Sequence, residues 1–227
     1  SHRSRRPPVN SPRRMNTPPS FLIADDHLVV RKGLTQILRD EFPESHIREV
    51  ADATELLQTI REFHPSLLIT DLNMPGKPPL EMIQQARMLL PGVPILVLSI
   101  HPEDVYALRV LKAGASGYLT KDSASDELIR AVRTLLKGKR FLSDNLADRL
   151  ANKLGGNEPA ETPLHALSDR ELEVLRGIGK GKSLKEIASE LSVSINTVST
   201  YRARLLEKLG FSSNAELVRF SDEHGIG

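Results

Sequence analysis

Apolar and polar residues follow two periods along residues 20–138. Three short runs are continuously apolar, as in strands covered on both faces of a sheet, and they lie at residues 21–24, 67–70 and 95–98. Residues 47–50 and 117–120 are weaker strand candidates. Apolar residues recur with helical spacing after each run, which predicts helices at about 28–41, 53–63, 80–90, 103–113 and 125–137.

Five repeats of a strand followed by a helix predict an α/β fold, an open, doubly wound, five-stranded parallel sheet with helices on both faces. The flavodoxin-like strand order 2-1-3-4-5 has its topological switch point beside the first and third strands. Ligands bind outside the carboxyl ends of the strands at such a point. Asp25, Asp26 and Asp71 follow those two strands, so we expect the functional site at this edge of the sheet.

The rest of the chain has a different pattern. Residues 164–227 are helical throughout, and three Ser-x-x-Glu capping boxes mark helix starts in a predicted all-α, four-helix domain. Only three residues, 192–194, separate its second and third helices, which predicts a helix–turn–helix. We therefore divide the chain into a disordered tail (1–19), an α/β domain (20–138), a linker with a candidate helix at 144–154 (139–163) and a helical domain (164–227).

Composition narrows the class of protein. The formal net charge is +2, but five of the 31 basic residues lie in the first twenty, which contain no Asp or Glu. The remainder has 26 basic against 29 acidic residues, so any DNA contact must come from a local basic face. The chain has no cysteine, which excludes disulfides and thiolate metal sites and favours the cytoplasm. No apolar run approaches the roughly 20 residues needed to span a membrane, and we expect no membrane contact.

The polar residues at the strand ends suggest a particular chemistry. Asp25, Asp26 and Asp71 would repel one another unless a divalent cation lay among them, and Mg²⁺ prefers such hard oxygen ligands. A carboxylate can also be the nucleophile that accepts a phosphoryl group. Lys121 supplies a cation and Ser99 a hydroxyl donor for the charge on that group. The pattern therefore predicts a magnesium-dependent phosphoryl-acceptor site.

These residues, with the segments 71–76 and 113–121, resemble a bacterial response-regulator receiver over about residues 20–138. The resemblance implies that a partner histidine kinase phosphorylates Asp71. It implies that Asp26, Asp71 and the backbone carbonyl of Asn73 hold Mg²⁺, with Asp25 acting largely through water. Lys121 would pair with the phosphoryl group, and Ser99 and Tyr118 match the switch pair, in which the hydroxyl moves toward the phosphate and the ring turns inward. Slow self-dephosphorylation would be the only catalysis.

Segments 167–175, 185–188, 196–198 and 207–210 resemble the LuxR-type helix–turn–helix, and the two domains together are similar to the NarL/FixJ subfamily of transcriptional regulators. Helical periodicity places Ile195, Val198, Leu205 and Leu206 toward the core. The opposite face would enter the major groove of double-stranded DNA, with small polar residues at the bases and cations at the phosphates. The candidates are Lys182, Ser183, Lys185, Asn196, Ser199, Thr200, Arg202, Ala203, Arg204 and Lys208.

The predicted function is phosphorylation-switched control of transcription. Phosphorylation would change the surface formed by the 103–113 helix, the last strand and the 125–137 helix, so that it stops masking the recognition helix or promotes a homodimer on two half-sites. Two alternatives remain open at this stage. The acidic site could be that of a phosphohydrolase, or the helical domain could bind DNA regardless of phosphorylation.

Overall fold

The computed structural model describes residues 17–156 and 162–227, so residues 1–16 of the predicted tail and 157–161 of the predicted linker lie outside the described residues. Five strands form one parallel sheet in the order β2-β1-β3-β4-β5, which confirms the predicted fold. The strands are β1 (Ser20–Ala24), β2 (His46–Val50), β3 (Leu67–Asp71), β4 (Ile95–Ser99) and β5 (Gly117–Thr120).

Helices follow each strand. Those of the first domain are α1 (Leu28–Glu41), α2 (Ala53–Glu62), α3 (Pro79–Leu89), α4 (Glu103–Ala113) and α5 (Ala124–Leu136). Alternate residues of each strand face opposite sides of the sheet. Leu22 and Leu68 pack with α2, α3 and α4, whereas Ile23 and Ile69 pack with α1 and α5. Every residue of β3 and β4 is buried, because these two strands have sheet neighbours on both sides and helices on both faces.

Residues after α5 continue to pack on the first domain. Gly117 forms a bridge with Phe141, and a Cβ at Gly117 would lie 3.1 Å from the Phe141 carbonyl oxygen, so a larger residue would push this segment away by a few tenths of an ångström. The predicted helix is present as α6 (Asp144–Leu154), with Ser143 as its N-cap. Its buried Leu146 lies in the same apolar cluster as α4. The first half of the predicted linker is therefore ordered against the α/β domain.

The C-terminal domain contains a short 3-10 helix (Pro163–Ala166) and four α-helices, α7 (Asp169–Gly179), α8 (Leu184–Leu191), α9 (Ile195–Leu209) and α10 (Asn214–Glu223). The three predicted capping boxes are present at the starts of α7, α8 and α10. Gly210 ends α9 with a φ of 68°, in the left-handed region that glycine adopts without strain. Within the described residues, no helix is both long and apolar enough to cross a membrane.

The two domains pack against each other along α4 and the loop that precedes it. Arg109 on α4 donates to the carbonyl oxygens of Leu164 (3.0 Å) and Leu167 (2.6 Å) and pairs with Asp169 at 2.6 Å. The apolar cluster that fills one side of the sheet continues through Leu164 and Leu167 into the core of the helical domain. The domains therefore share a partly apolar contact.

Candidate functional site

The predicted acidic residues come together at the carboxyl edge of the sheet. Asp25 and Asp26 follow β1 and Asp71 ends β3, and these strands are hydrogen-bonded neighbours. One ligand atom from each of Asp25, Asp26, His27 and Asp71 lies within 4.8 Å of the others. Asp25 and Asp71 are only 1% and 4% exposed, whereas Asp26 is exposed. Hard oxygen donors this close together suit a divalent cation such as Mg²⁺.

Lys121 is the cation that balances the two buried carboxylates. It follows β5, and its backbone N–H donates to the Ser99 carbonyl at 2.8 Å. Its Nζ lies 2.8 Å from Asp25 Oδ2 and 3.4 Å from Asp71 Oδ2. Burial raises the pKa of Asp71 more than the nearby Lys121 lowers it, and the neighbouring Asp25 raises it further. The site therefore has an excess of buried negative charge that one ammonium only partly offsets.

His27 is a further member of the cluster and is not among the candidate site residues predicted from the sequence. Its Nδ1 lies 2.9 Å from Asp26 Oδ1 and 3.1 Å from Asp25 Oδ1, and its backbone N–H donates to Asp25 at 2.8 Å. The sequence feature that could have identified His27 is its position directly after Asp25 and Asp26.

The predicted switch residues meet at a second unforeseen histidine, His101. The backbone N–H of His101 donates to Ser99 Oγ (3.0 Å), and the Tyr118 hydroxyl donates to the His101 carbonyl (2.8 Å). The Tyr118 ring is turned inward and is 1% exposed, and burial raises the pKa of its hydroxyl. The two predicted switch residues thus hydrogen-bond the backbone of the same residue, Ser99 at its N–H and Tyr118 at its carbonyl.

The side chain of His101 is also engaged. Its Nε2 lies 2.5 Å from Asn73 Nδ2, its Nδ1 lies 3.1 Å from the Gly225 carbonyl of the C-terminal domain, and its ring packs 4.9 Å from that of Tyr106. Burial lowers the pKa of His101 to about 4, so the ring is neutral at neutral pH. The Asn73 Oδ1 atom is buried and has no hydrogen-bond partner in the described part of the chain.

The acidic site opens into a cavity of about 520 Å³ between the two domains. On one side are Asp26 and the loop from Asn73 to Pro79. On the other are basic residues of the helical domain, among them Arg176, Lys180 and Lys182. Charged residues of both signs line each side of the cavity, with Lys77 and Asp26 on the first side and Glu173 and Glu190 on the second.

The predicted DNA-reading residues lie on the free side of α9. Asn196, Ser199, Thr200, Ala203 and Arg204 are all exposed in this arrangement of the domains. The α/β domain contacts α7 and the two ends of the helical domain instead. The hypothesis that the α/β domain masks the recognition helix is therefore not supported, since a different surface of the helical domain faces the α/β domain.

The predicted phosphate-binding cations differ in how free they are. Lys208 pairs with the buried Glu171 at 2.7 Å, and Lys182 pairs with Glu190 at 2.6 Å. Arg202 donates to Asn214 at 2.5 Å. In the part of the chain that the structure describes, Arg204 and Lys185 have no ion pair and are the most available to phosphates. Ser183 is the N-cap of α8, where its hydroxyl serves the capping box.

The prediction that Ile195 faces the core of the helical domain is wrong. Val198 and Leu205 are fully buried, but the side chain of Ile195 is 47% exposed. Ile195 is the first residue of the helix, directly after its N-cap Ser194, and the helical period does not require an inward direction at that end.

Comparison with known proteins places the chain in a family. Residues 21–133 match the family described as response regulator receiver domain, and residues 165–221 match bacterial regulatory proteins of the luxR family. The oxygen regulatory protein NreC of Staphylococcus aureus is 36% identical over 207 residues, which cover 88% of this chain and 95% of NreC.

Solved structures agree with this assignment. RcsB from Salmonella enterica serovar Typhimurium, bound to promoter P1flhDC in the presence of the phosphomimetic BeF3−, superposes with a TM-score of 0.73 at 27% identity, covering 90% of this chain and 98% of RcsB. A structure of two RcsB dimers bound to two parallel DNAs has a TM-score of 0.56 at 28% identity, covering 91% and 98%.

The fold and the site define a receiver domain joined to a helix–turn–helix domain, as in regulators of transcription. The chain belongs to the two-component response regulators of the NarL/FixJ subfamily, which combine a receiver with a LuxR-type DNA-binding domain. Membership in a regulatory family, and not in a class of metabolic enzymes, disfavours the phosphohydrolase alternative.

Proposed function

We propose that Asp71 accepts a phosphoryl group from a partner histidine kinase and that this phosphorylation controls binding to double-stranded DNA. The observation that carries the proposal is the convergence of three carboxylates within 4.8 Å, with the Lys121 ammonium beside two of them. The receiver family and the DNA-bound state of RcsB support it. A DNA-binding regulator acts where the chromosome is, so we place the protein in the cytoplasm.

In the proposed reaction, an Asp71 carboxylate oxygen attacks the phosphorus of a phosphohistidine. The new P–O bond forms while the P–N bond breaks, and the electron pair returns to the imidazole of the kinase. Lys121 lies where it can pair with the oxygens of the transferred group. The Ser99 hydroxyl can then move toward those oxygens. Slow hydrolysis of the acyl phosphate would reset the site.

Asp25, Asp26, Asp71 and the backbone carbonyl of Asn73 would hold Mg²⁺. When bound, Mg²⁺ supplies positive charge that offsets the charge on the equatorial oxygens of the phosphoryl group. The donor set fits, because it offers hard carboxylate oxygens and the site carries excess negative charge. His27 offers a nitrogen at the same place, which Mg²⁺ prefers less than oxygen.

Intact-mass measurement of the full chain with acetyl phosphate and Mg²⁺ tests the acceptor. We expect the mass of one phosphoryl group to be added to the wild type and lost in Asp71→Asn. Asp122→Asn is the matched control, since it removes an exposed carboxylate next to Lys121 in the chain and should be phosphorylated like the wild type. Full phosphorylation of Asp71→Asn would overturn the assignment.

For DNA, we propose that α9 enters the major groove and that Ser199, Thr200 and Ala203 face the bases. The exposure of this face supports the proposal. Arg204 and Lys185 would contact phosphates, with Arg202, Lys182 and Lys208 secondary because each already has a partner inside the domain. A homodimer that reads two half-sites is supported by the RcsB dimers on DNA.

The exposed recognition face also favours a second candidate, DNA binding that ignores phosphorylation. Binding to a fluorescent operator fragment, selected from genomic DNA, separates the two. An affinity that rises with acetyl phosphate in the wild type, but not in Asp71→Asn, supports the switch. The same affinity with and without the phosphodonor, in a chain shown by mass to be phosphorylated, selects the second candidate.

A further inference from the structure

The exposed face of α9 contains one large apolar side chain to which the proposed function assigns no role. Ile195 is 47% exposed, although Val198 and Leu205 on the same helix are fully buried. It is the first residue of α9, and helical side chains tilt toward the N-terminus of their helix. The N-terminal end of a recognition helix is the end that reaches base edges in the major groove. Ile195 therefore lies where the domain would meet the bases.

Two smaller exposed residues continue the line of Ile195 along the helix. Ser199 and Ala203 follow at intervals of four residues, the spacing at which side chains lie one turn apart on the same face of a helix. Both are exposed, and Ala203 presents a methyl group. This stripe therefore begins and ends with apolar side chains, and it carries no charge.

The polar residues beside the stripe narrow what the face can recognise. The Thr200 hydroxyl donates to the Asn196 carbonyl at 3.0 Å, so its hydrogen is already used. Thr200 can then offer a base its methyl group or an acceptor, but no donor. The side chain of Asn196 is exposed, and an amide of this kind can pair with N6 and N7 of adenine. The face therefore offers groups that suit adenine and thymine.

The same face lacks the side chains that read guanine. Guanine is recognised chiefly by arginine or lysine, which bond its O6 and N7 atoms. Helix α9 is described in full, and none of the five exposed residues named above is a cation. Arg202 and Lys208 are held by partners inside the domain, and Arg204 lies about 140° around the helix from Ser199. The groups at the centre of the face thus favour A·T over G·C pairs.

We propose that Ile195 is a specificity-determining residue that reads thymine by packing against its C5-methyl group, which lies in the major groove. The inference rests on the proposed function, because it requires α9 to enter that groove. Burying one group of this size in an apolar contact is worth about a fourfold change in affinity. A homodimer with one such contact in each half-site would gain about fifteenfold.

The methyl group can be removed from the DNA without changing the bases in any other way. Deoxyuridine lacks the C5-methyl group of thymidine and keeps all its hydrogen-bonding groups. The operator fragment selected from genomic DNA is therefore made in two forms, one with thymine and one with uracil throughout. The affinity of the full chain for each form is measured with acetyl phosphate and Mg²⁺. The ratio of the two affinities reports on recognition of the methyl group.

Two variants separate a methyl contact from a general effect of uracil on the DNA. Ile195→Ala shortens the apolar side chain at the start of α9. Lys185→Gln is the matched control, because Lys185 is assigned to phosphates, which are the same in both forms of the fragment. Both positions are exposed, so the melting temperatures of the full-length variants should be close to that of the wild type.

We expect the wild type to bind the thymine form about fifteenfold more tightly than the uracil form. In Ile195→Ala this preference should fall to about fourfold or less. Lys185→Gln should bind both forms more weakly and keep the wild-type ratio, since it removes a contact that both forms share.

Three results would overturn the inference alone. They are equal affinity of the wild type for the two forms, an unchanged preference in Ile195→Ala, and an equal loss of preference in Lys185→Gln. A phosphorylated wild type from which selection recovers no operator fragment overturns the proposed DNA binding, and the inference with it.

Discussion

Removing the ammonium of Lys121 should destabilise the metal-free receiver and make its stability depend on Mg²⁺. The Nζ atom lies 2.8 Å from Asp25 and 3.4 Å from Asp71, and these carboxylates are 1% and 4% exposed. Lys121→Gln leaves two buried negative charges next to each other with no cation. Breaking a buried ion pair by removing one partner costs about 3–5 kcal/mol.

The lower end of that range applies here. The Lys121 side chain is 15% exposed, so water already screens part of the pair. We therefore expect a loss of about 3 kcal/mol in EDTA, which lowers the melting temperature of a domain of this size by roughly 10 °C or more. Mg²⁺ binds the folded state and supplies the missing charge, so it should stabilise the variant more than the wild type.

Differential scanning calorimetry of the full chain, in EDTA and in excess Mg²⁺, measures both effects. Lys137→Gln is the matched control, because Lys137 is exposed and lies at the end of α5, away from the carboxylates. If Lys121→Gln and Lys137→Gln melted together in EDTA, Lys121 would not balance the buried carboxylates. If Mg²⁺ raised the melting temperature of the variant and the wild type equally, the cation would not bind among them.

Four further substitutions have effects that can be estimated from the structure. A Cβ at Gly177 would lie 2.6 Å from Ile187 Cγ1, so Gly177→Ala should cost about 1–3 kcal/mol by urea unfolding. Gly33→Ala, inside α1 with nothing within 4 Å of the new Cβ, should stabilise by about 0.5–1 kcal/mol. Burial raises the pKa of Glu171, but Lys208 and Ser168 lower it more, so the folded-state pKa lies below 4.5. The ionised Glu171 therefore stabilises the fold above pH 4.5, and this contribution is lost as the pH falls through the folded-state pKa. In Glu171→Gln, the free energy of unfolding should fall less steeply over that acidic range. Arg204→Ala should weaken DNA binding uniformly across sequences and reduce the salt slope by about 1.

Each of these has a contrary outcome. A neutral substitution at the first glycine would mean that α7 and α8 separate without cost, and a destabilising one at the second would mean that α1 is not helical there. If stability fell as steeply at acidic pH in Glu171→Gln as in the wild type, the pKa of Glu171 would not differ between the folded and unfolded states. If Arg204→Ala lost DNA affinity for some sequences and not for others, Arg204 would contact base edges and not phosphates.

The sequence by itself determined the fold and the edge of the sheet at which the chemistry lies. Continuous apolar runs report burial on both faces, and parallel topology brings the carboxyl ends of neighbouring strands together. Asp25, Asp26, Asp71 and Lys121 were therefore expected to converge. The structure brings the three carboxylates within 4.8 Å of one another and places Lys121 within ion-pair distance of Asp25 and Asp71. The starts of α7, α8 and α10 were also predictable, because a capping box is a local interaction between residues three apart.

Tertiary structure alone decided what surrounds that edge. The contact of His101 with Gly225 joins residues 124 apart, and no local pattern marks either of them. The pairing of Lys208 with Glu171 likewise depends on how α9 crosses α7, so the sequence could not show that this predicted DNA-contacting lysine has an ion-pair partner inside its own domain. Periodicity reports which face of an element is buried, but not which element covers it. For that reason the domain contact, and the recognition face it leaves open, could be known only from the folded chain.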